Sequence, residues 1–303
     1  MRVSYTSGYF VDLPSEHPFP MGKFPALAEI LLMEELITPG EIYEPDEATW
    51  EELQLVHTAD YLAQLEGGNL GPKAERKMGL PWSHALVRRS RLAVQGTIEA
   101  ARMALEDGIA ANLAGGTHHA YPGHGEGFCI LNDVAVAIRV LQRRGQIGRA
   151  LVVDLDVHQG NGTAAVFDGD ESTYTFSMHG ERNYPFEKEM SALDVGLPDG
   201  MGDDDYMATL TQNLETALVA ARSDLTFYLA GVDALAGDRY GRLSLSREGI
   251  HRRDRHVIER LRAAEQPLCL LMSGGYAETP QATADLHAIA HREASHACSR
   301  TCS

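Results

Sequence analysis

The stretch Asp154-Leu-Asp156-Val-His158 places two carboxylates and an imidazole within five residues, at the end of the apolar run Ala150 to Val157. Side chains two apart on a strand share a face, so a strand over this run would project all three together. Burying that much charge without a partner is costly, and a bound cation removes the cost. Asp233 closes a second apolar run and is placed to complete the set with Asp156 and His158. Two carboxylates and one imidazole suit Zn²⁺ held by three protein ligands, with a position open to water or substrate. Fe²⁺ is the alternative occupant, because ligand type alone does not select the metal.

A divalent ion with open positions is suited to amide hydrolysis, which also needs a proton acceptor, an oxyanion donor and a proton for the leaving amine. His118 and His119 follow Gly115-Gly116-Thr117, where two glycines let the backbone turn sharply. Asp154, left over once the ligands are counted, can accept a hydrogen bond from one imidazole and fix its tautomer. Tyr276 follows Gly274-Gly275 and can aim a phenol at the developing oxyanion. Phe128, between Gly127 and Cys129, reads equally as a core residue or as the wall of a channel.

These residues need a frame that brings them together. Four apolar runs, 109–113, 150–157, 225–230 and 268–272, have the length and composition of buried parallel strands. Helical periodicity covers 90–106, 133–144, 206–222 and 247–264. Alternation of the two predicts a single α/β domain over residues 1–303, with a mostly parallel sheet covered by helices on both faces. Each run ends in reactive residues, and such sheets bind ligands beyond the carboxyl ends of their strands. The polar tail from about residue 290 is expected to fray.

Composition narrows the partners. The chain has 26 basic and 43 acidic residues, a net charge of −17, which lacks the basic footprint of a nucleic-acid binder and favours cationic substrates. No apolar run approaches the roughly 18 residues of a membrane span, and the N-terminus has no basic-then-apolar leader, so a cytoplasmic protein is expected. Cys129, Cys269, Cys298 and Cys302 have no paired CxxC spacing and are expected to be free thiols. Oligomeric state is not legible.

The motifs HPFPMGKF (17–24), VHTADYL (56–62), AGGTHHAYPGHGEGFCILND (114–133), DLDVHQGNGT (154–163), FSMHG (176–180), AGVDALAGD (230–238) and SGGY (273–276) resemble those of a known family. It comprises the zinc-dependent histone deacetylases, acetylpolyamine amidohydrolases and acetoin-utilisation proteins, with the arginase-type α/β fold. HPFPMGKF and NYPF (183–186) look most like the class IV branch and its bacterial relatives.

The resemblance implies a deacylase acting on acyl-lysine or another N-acylated amine, with an acetylpolyamine as the alternative substrate. It implies zinc on Asp156, His158 and Asp233, an acid–base pair in His118 and His119, and carbonyl polarisation by Tyr276. It makes Phe128 and Gly127 part of the acyl-lysine channel and sets Lys23 near an acetate exit path. It also implies a structural potassium ion held through backbone oxygens, which matches Asp154, Asp156, His158, Ser177 and Met178. Some branches pair both catalytic histidines with aspartate, whereas Asn161 stands in the second position here. An amide stabilises imidazolium less than a carboxylate does, so His119 is expected to be less basic than His118. An arginase-type two-metal site would need further carboxylates, and Gln159 and Leu235 stand where they would be sought. A silent scaffold would be expected to have lost Tyr276 or a histidine.

Overall fold

Each of the four apolar runs forms a strand, and every residue of those strands is buried. The computed structural model describes residues 1–299. Its strands are β1 (Val3–Ser4), β2 (Ile42–Tyr43), β3 (Ile109–Asn112), β4 (Ala150–Asp154), β5 (Thr173–Gly180), β6 (Leu193–Leu197), β7 (Leu225–Leu229) and β8 (Leu268–Leu271). They pair in parallel throughout, in the order β2-β1-β3-β8-β7-β4-β5-β6. Because both sets of alternating side chains in β3, β8, β7 and β4 are buried, helices cover both faces of a single α/β domain.

The four strands legible in the sequence are thus the four consecutive central ones. Their C-terminal loops, 113–119, 155–161, 230–238 and 272–276, emerge side by side at one edge of the sheet. Helices begin where side chains satisfy the free backbone donors of a first turn. Ser83 accepts from Leu86 N to open His84–Asp107, Asn132 accepts from Ala135 N to open Asp133–Arg143, and Ser246 accepts from Gly249 N to open Arg247–Ala263.

The C-terminal segment is more regular than its polar composition suggests. Residues 290–299 of the polar tail belong to the helix Pro280–Ser299, and 300–303 lie outside the described residues. Its buried face sets Ala284, His287, Ala288, His291 and Ala294 beside Leu286 and Ile289, a helical spacing with two large aliphatic residues. Arg292 also ties the helix to Glu34 at 2.6 Å. Cys129 and Cys269 are free thiols, and Cys302 lies outside the described residues. No helix among the described residues is long and apolar enough to cross a membrane.

Candidate active site

β4 ends at Asp154, so Asp156 and His158 lie in the loop beyond it and not on one face of a strand as expected. The loop folds back on its own carboxylates: Asp156 N donates to Asp154 Oδ1 at 3.2 Å and His158 N to Asp156 Oδ1 at 3.0 Å. Ser273 Oγ and Gly274 N hold the other Asp156 oxygen at 2.7 and 2.6 Å, while Val157 N donates to Asp233 Oδ1 at 2.9 Å. One ligand atom each from Asp156, His158 and Asp233 then lies within 4.8 Å of the others, all three residues being buried. His158 Nδ1 stands 2.9 Å from Asp156 Oδ1 and 3.2 Å from Asp233 Oδ2.

Tetrahedral bonds of about 2.0–2.1 Å to a zinc ion imply ligand-to-ligand edges of roughly 3.3 Å, which these separations match. Asp233 Oδ2 is also a buried oxygen at which no hydrogen-bond donor is properly aimed. Burial, with the Asp156 charge beside it, pushes the Asp233 carboxyl up to about 7. Burial opposes charge on His158 too, yet the two carboxylates hold its imidazole up at about 10. The donor set is therefore built around positive charge. Among the described residues it is the one such group, which fits a single-metal centre and not a two-metal one.

His118 and His119 stand on the loop after β3, their ring centroids 4.1 Å apart. Gly115 and Gly116 adopt φ of +80° and +76°. A Cβ on Gly116 would lie 2.8 Å from the Ser273 backbone, so only glycine lets the two loops approach this closely. Buried Asp133 pins the turn by accepting from Gly116 N at 3.1 Å and Thr117 N at 2.7 Å. His118 Nδ1 meets Asp154 Oδ2 at 2.6 Å, and His119 Nδ1 meets Asn161 Oδ1 at 2.6 Å. The partners set opposite tendencies. Burial works against charge on both rings, but Asp154 and Asp156 raise His118 to about 9. Burial and the neighbouring His118 and His158 push His119 well below the ordinary histidine value.

Two cavities meet at this centre. An outer one of about 230 Å³ is lined by His119, Gly127, Phe128, His158, Tyr184, Tyr240 and Tyr276. Phe128 lies in the left-handed region at φ +66°, next to Gly127 at +54°, where a Cβ would strike the His119 ring at 2.6 Å. Tyr276 edges onto Tyr240 with centroids 4.9 Å apart, and its backbone N–H donates to Asp238 at 2.7 Å. Burial, with Asp156 and Asp233 nearby, lifts its hydroxyl well above the ordinary phenol value and keeps it a donor. The inner cavity, about 40 Å³, lies between the centre and Lys23, Arg89, Phe19 and Phe24. Lys23 is fully buried, donates to Ser273 O at 2.9 Å, and is lowered by that burial to about 8 despite the pull of Asp233 and Asp156.

Asp156, His158 and Asp233 lie together, and His118, His119, Gly127, Phe128 and Tyr276 line the cavities beside them. Register sets Asp154 opposite Ser177 in β5. Several contributors carry no sequence signal. Arg89 faces the inner cavity. Fully buried Arg253 donates to Gly231 O at 2.6 Å, bracing the Asp233 loop. Glu126, between two glycines, receives Asn161 Nδ2 at 3.2 Å, Lys77 Nζ at 2.6 Å and the Tyr184 hydroxyl. Spacing predicts none of these contacts, which join loops distant in the chain.

With this geometry in view, residues 17–291 match the family described as the histone deacetylase domain. An uncharacterized protein of Picosynechococcus is 48% identical over 292 residues, covering 96% of this chain and 97% of that one. Histone deacetylase 2 of Arabidopsis thaliana is 32% identical over 288 residues, 91% of this chain and 74% of the relative. The crystal structure of an HDAC homolog complexed with SAHA superposes with a TM-score of 0.80 at 26% identity, covering 97% of this chain and 84% of that one.

Proposed function

This chain belongs to the histone deacetylase family, and from that membership we propose that it is a zinc-dependent hydrolase of N-acylated amines, acyl-lysine in the first place. The observation that carries the reading is the meeting of Asp156, His158 and Asp233 with two differently partnered histidines at the floor of an aromatic-walled cavity. Those three residues would hold the ion, which when bound supplies Lewis acidity toward water and the amide carbonyl. Fe²⁺ satisfies the same donors, and a structural potassium ion is assigned to the loop of Asp154, Asp156, His158, Ser177 and Met178.

Phe128, Gly127, Tyr184 and Tyr240 enclose the methylene chain of the substrate and exclude water from it. Tyr276 donates its hydroxyl to the carbonyl oxygen as that oxygen gains charge. His119, held neutral, accepts the proton from the attacking water and returns it to the leaving amine. His118 beside Asp154 keeps positive charge next to the developing tetrahedral centre. The acyl group points into the inner cavity, whose small volume of about 40 Å³ suits a short acyl group. Lys23 and Arg89 give that cavity affinity for the carboxylate product. Acetyl is therefore the favoured acyl group.

The net charge of −17 favours cationic substrates and keeps acetylpolyamines as a second class. The test offers zinc-loaded protein an acetyl-lysine peptide, a long-chain acyl-lysine peptide and an acetylpolyamine, and follows release of free amine. Acetyl-lysine is expected to be turned over fastest. Absence of hydrolysis with all three, under zinc and under Fe²⁺, would refute the reading.

A further inference from the structure

The amide hydrogen bonds around Asn161 run in one direction. Its Oδ1 lies 2.6 Å from His119 Nδ1, and its Nδ2 donates to Glu126 Oε1 at 3.2 Å and to the Tyr121 hydroxyl oxygen at 3.1 Å. Glu126 is nearly inaccessible, at 6% exposure. Its second oxygen is held by Lys77 Nζ at 2.6 Å and by His124 Nε2 at 3.1 Å. Burial alone would raise this carboxyl, but the bonds from His124, Lys77 and Tyr184 take it down to about 2.

An ionised carboxylate accepts hydrogen bonds and donates none. Asn161 must therefore turn its NH₂ toward Glu126 and its oxygen toward His119. That oxygen can only accept, so His119 must carry its proton on Nδ1, which leaves the Nε2 lone pair free. The Tyr121 arm agrees in polarity, since its hydroxyl donates to Glu189 at 3.0 Å, but it lies at the surface and holds less firmly. Glu126 also takes the Tyr184 hydroxyl, and the Tyr184 ring stands edge-on to His119 with centroids 5.1 Å apart.

We propose that Glu126 is a positioning residue that sets the orientation of the Asn161 amide and, through it, the tautomer and placement of His119. The carboxylate expected next to the second histidine is thus one amide further out, anchored to Lys77. The kinetic part of this assignment rests on the deacylase reading above; the tautomer does not.

Two experiments decide it. In ¹⁵N-histidine-labelled protein, His119, assigned by comparison with His119→Gln, is expected as the Nδ1–H tautomer in the wild type and as a mixture in Glu126→Gln. In zinc-loaded protein on an acetyl-lysine peptide, Glu126→Gln is expected to lower kcat by about tenfold with KM within about twofold, as for other lost partners of active-site histidines. Asn161→Asp added to Glu126→Gln supplies an acceptor-only carboxylate directly at His119 and is expected to restore kcat to within about threefold. A structural role for Glu126 gives no such rescue. An Nε2–H tautomer for wild-type His119, or a double variant that melts with the wild type yet turns over no faster than Glu126→Gln, overturns the proposal. A wild type that hydrolyses no acyl amide defeats the functional reading, while the spectra still decide the tautomer.

Discussion

Replacing Asp133 by asparagine exchanges one oxygen for an NH₂ group inside the turn that carries both histidines. Oδ1 of Asp133 accepts from Thr117 N and Thr117 Oγ1, and Oδ2 from Gly116 N and Thr97 Oγ1. The new NH₂ is best placed on the Oδ2 side, where Thr97 can rotate its hydroxyl to accept from it. Thr117 Oγ1 retains Leu131 O at 2.5 Å as an acceptor. Gly116 N is left without one. A buried backbone donor with no acceptor costs about 1–3 kcal/mol, and loss of charge assistance in the remaining bonds adds about 1 kcal/mol. Asp133→Asn is therefore expected to destabilise the protein by about 2–4 kcal/mol, a drop of roughly 4–8 °C in Tm at about 2 °C per kcal/mol for a chain of this size. Urea titration should show the midpoint falling with an unchanged slope. A loss below about 0.5 kcal/mol, the scale of an ordinary surface substitution, would mean that Asp133 does not anchor the turn.

Asp156→Ala and Asp233→Ala are each expected to abolish both metal content and turnover, and full zinc by elemental analysis in either variant would remove that residue from the ligand set. Tyr276→Phe keeps the ring packing and should retain zinc while kcat falls about 10² to 10³-fold, the scale for a lost oxyanion donor; wild-type turnover would return the tyrosine to a packing role. Buried His57 accepts from Asn132 N at 3.0 Å and is lowered by burial to about 4. Because the unfolded chain takes up that proton first, near pH 6.5, stability is expected to fall as pH drops from about 6.5 to 4, by at most about 3 kcal/mol from this group. Denaturant melts across that range should show a shallower fall in His57→Gln, and an identical slope would contradict the assignment.

The sequence exposed the centre of the sheet and concealed its margins for one physical reason. Strands buried on both faces, such as β4 with ALVV before Asp154 or β8 with LCLL, carry continuous apolar runs that are visible without a structure. β5 reads TYTFSMHG and β6 reads LDVGL, with polar residues interleaved, while β1 and β2 are two residues each. Those strands exist because the central ones offer them a hydrogen-bonding edge. Their own composition does not demand it. Helix Pro280–Ser299 was obscured differently, its buried face setting many Ala and His residues beside only Leu286 and Ile289.

The same distinction divides the candidate site. Asp156, His158, Asp233, His118 and Tyr276 stood out because chemistry-bearing residues follow directly on apolar runs, at the edge where α/β sheets bind ligands. What orients them did not. Asp133 reaches the histidine turn across 16 residues, Arg253 reaches Gly231 from a helix of mostly charged residues, and Tyr184 meets Glu126 across 58. No periodicity records such contacts. Their effect still shows indirectly, at Asn161, where some branches of the family carry an aspartate. Asn161 alone predicts a second histidine less supported than the first, and the structure supplies the reason the amide is tolerated. Its NH₂ has a buried carboxylate to face, so its oxygen faces His119 with the polarity an aspartate would have had. A departure from a motif is thus a place to look for a distant compensating group, and Glu126 is the group found here.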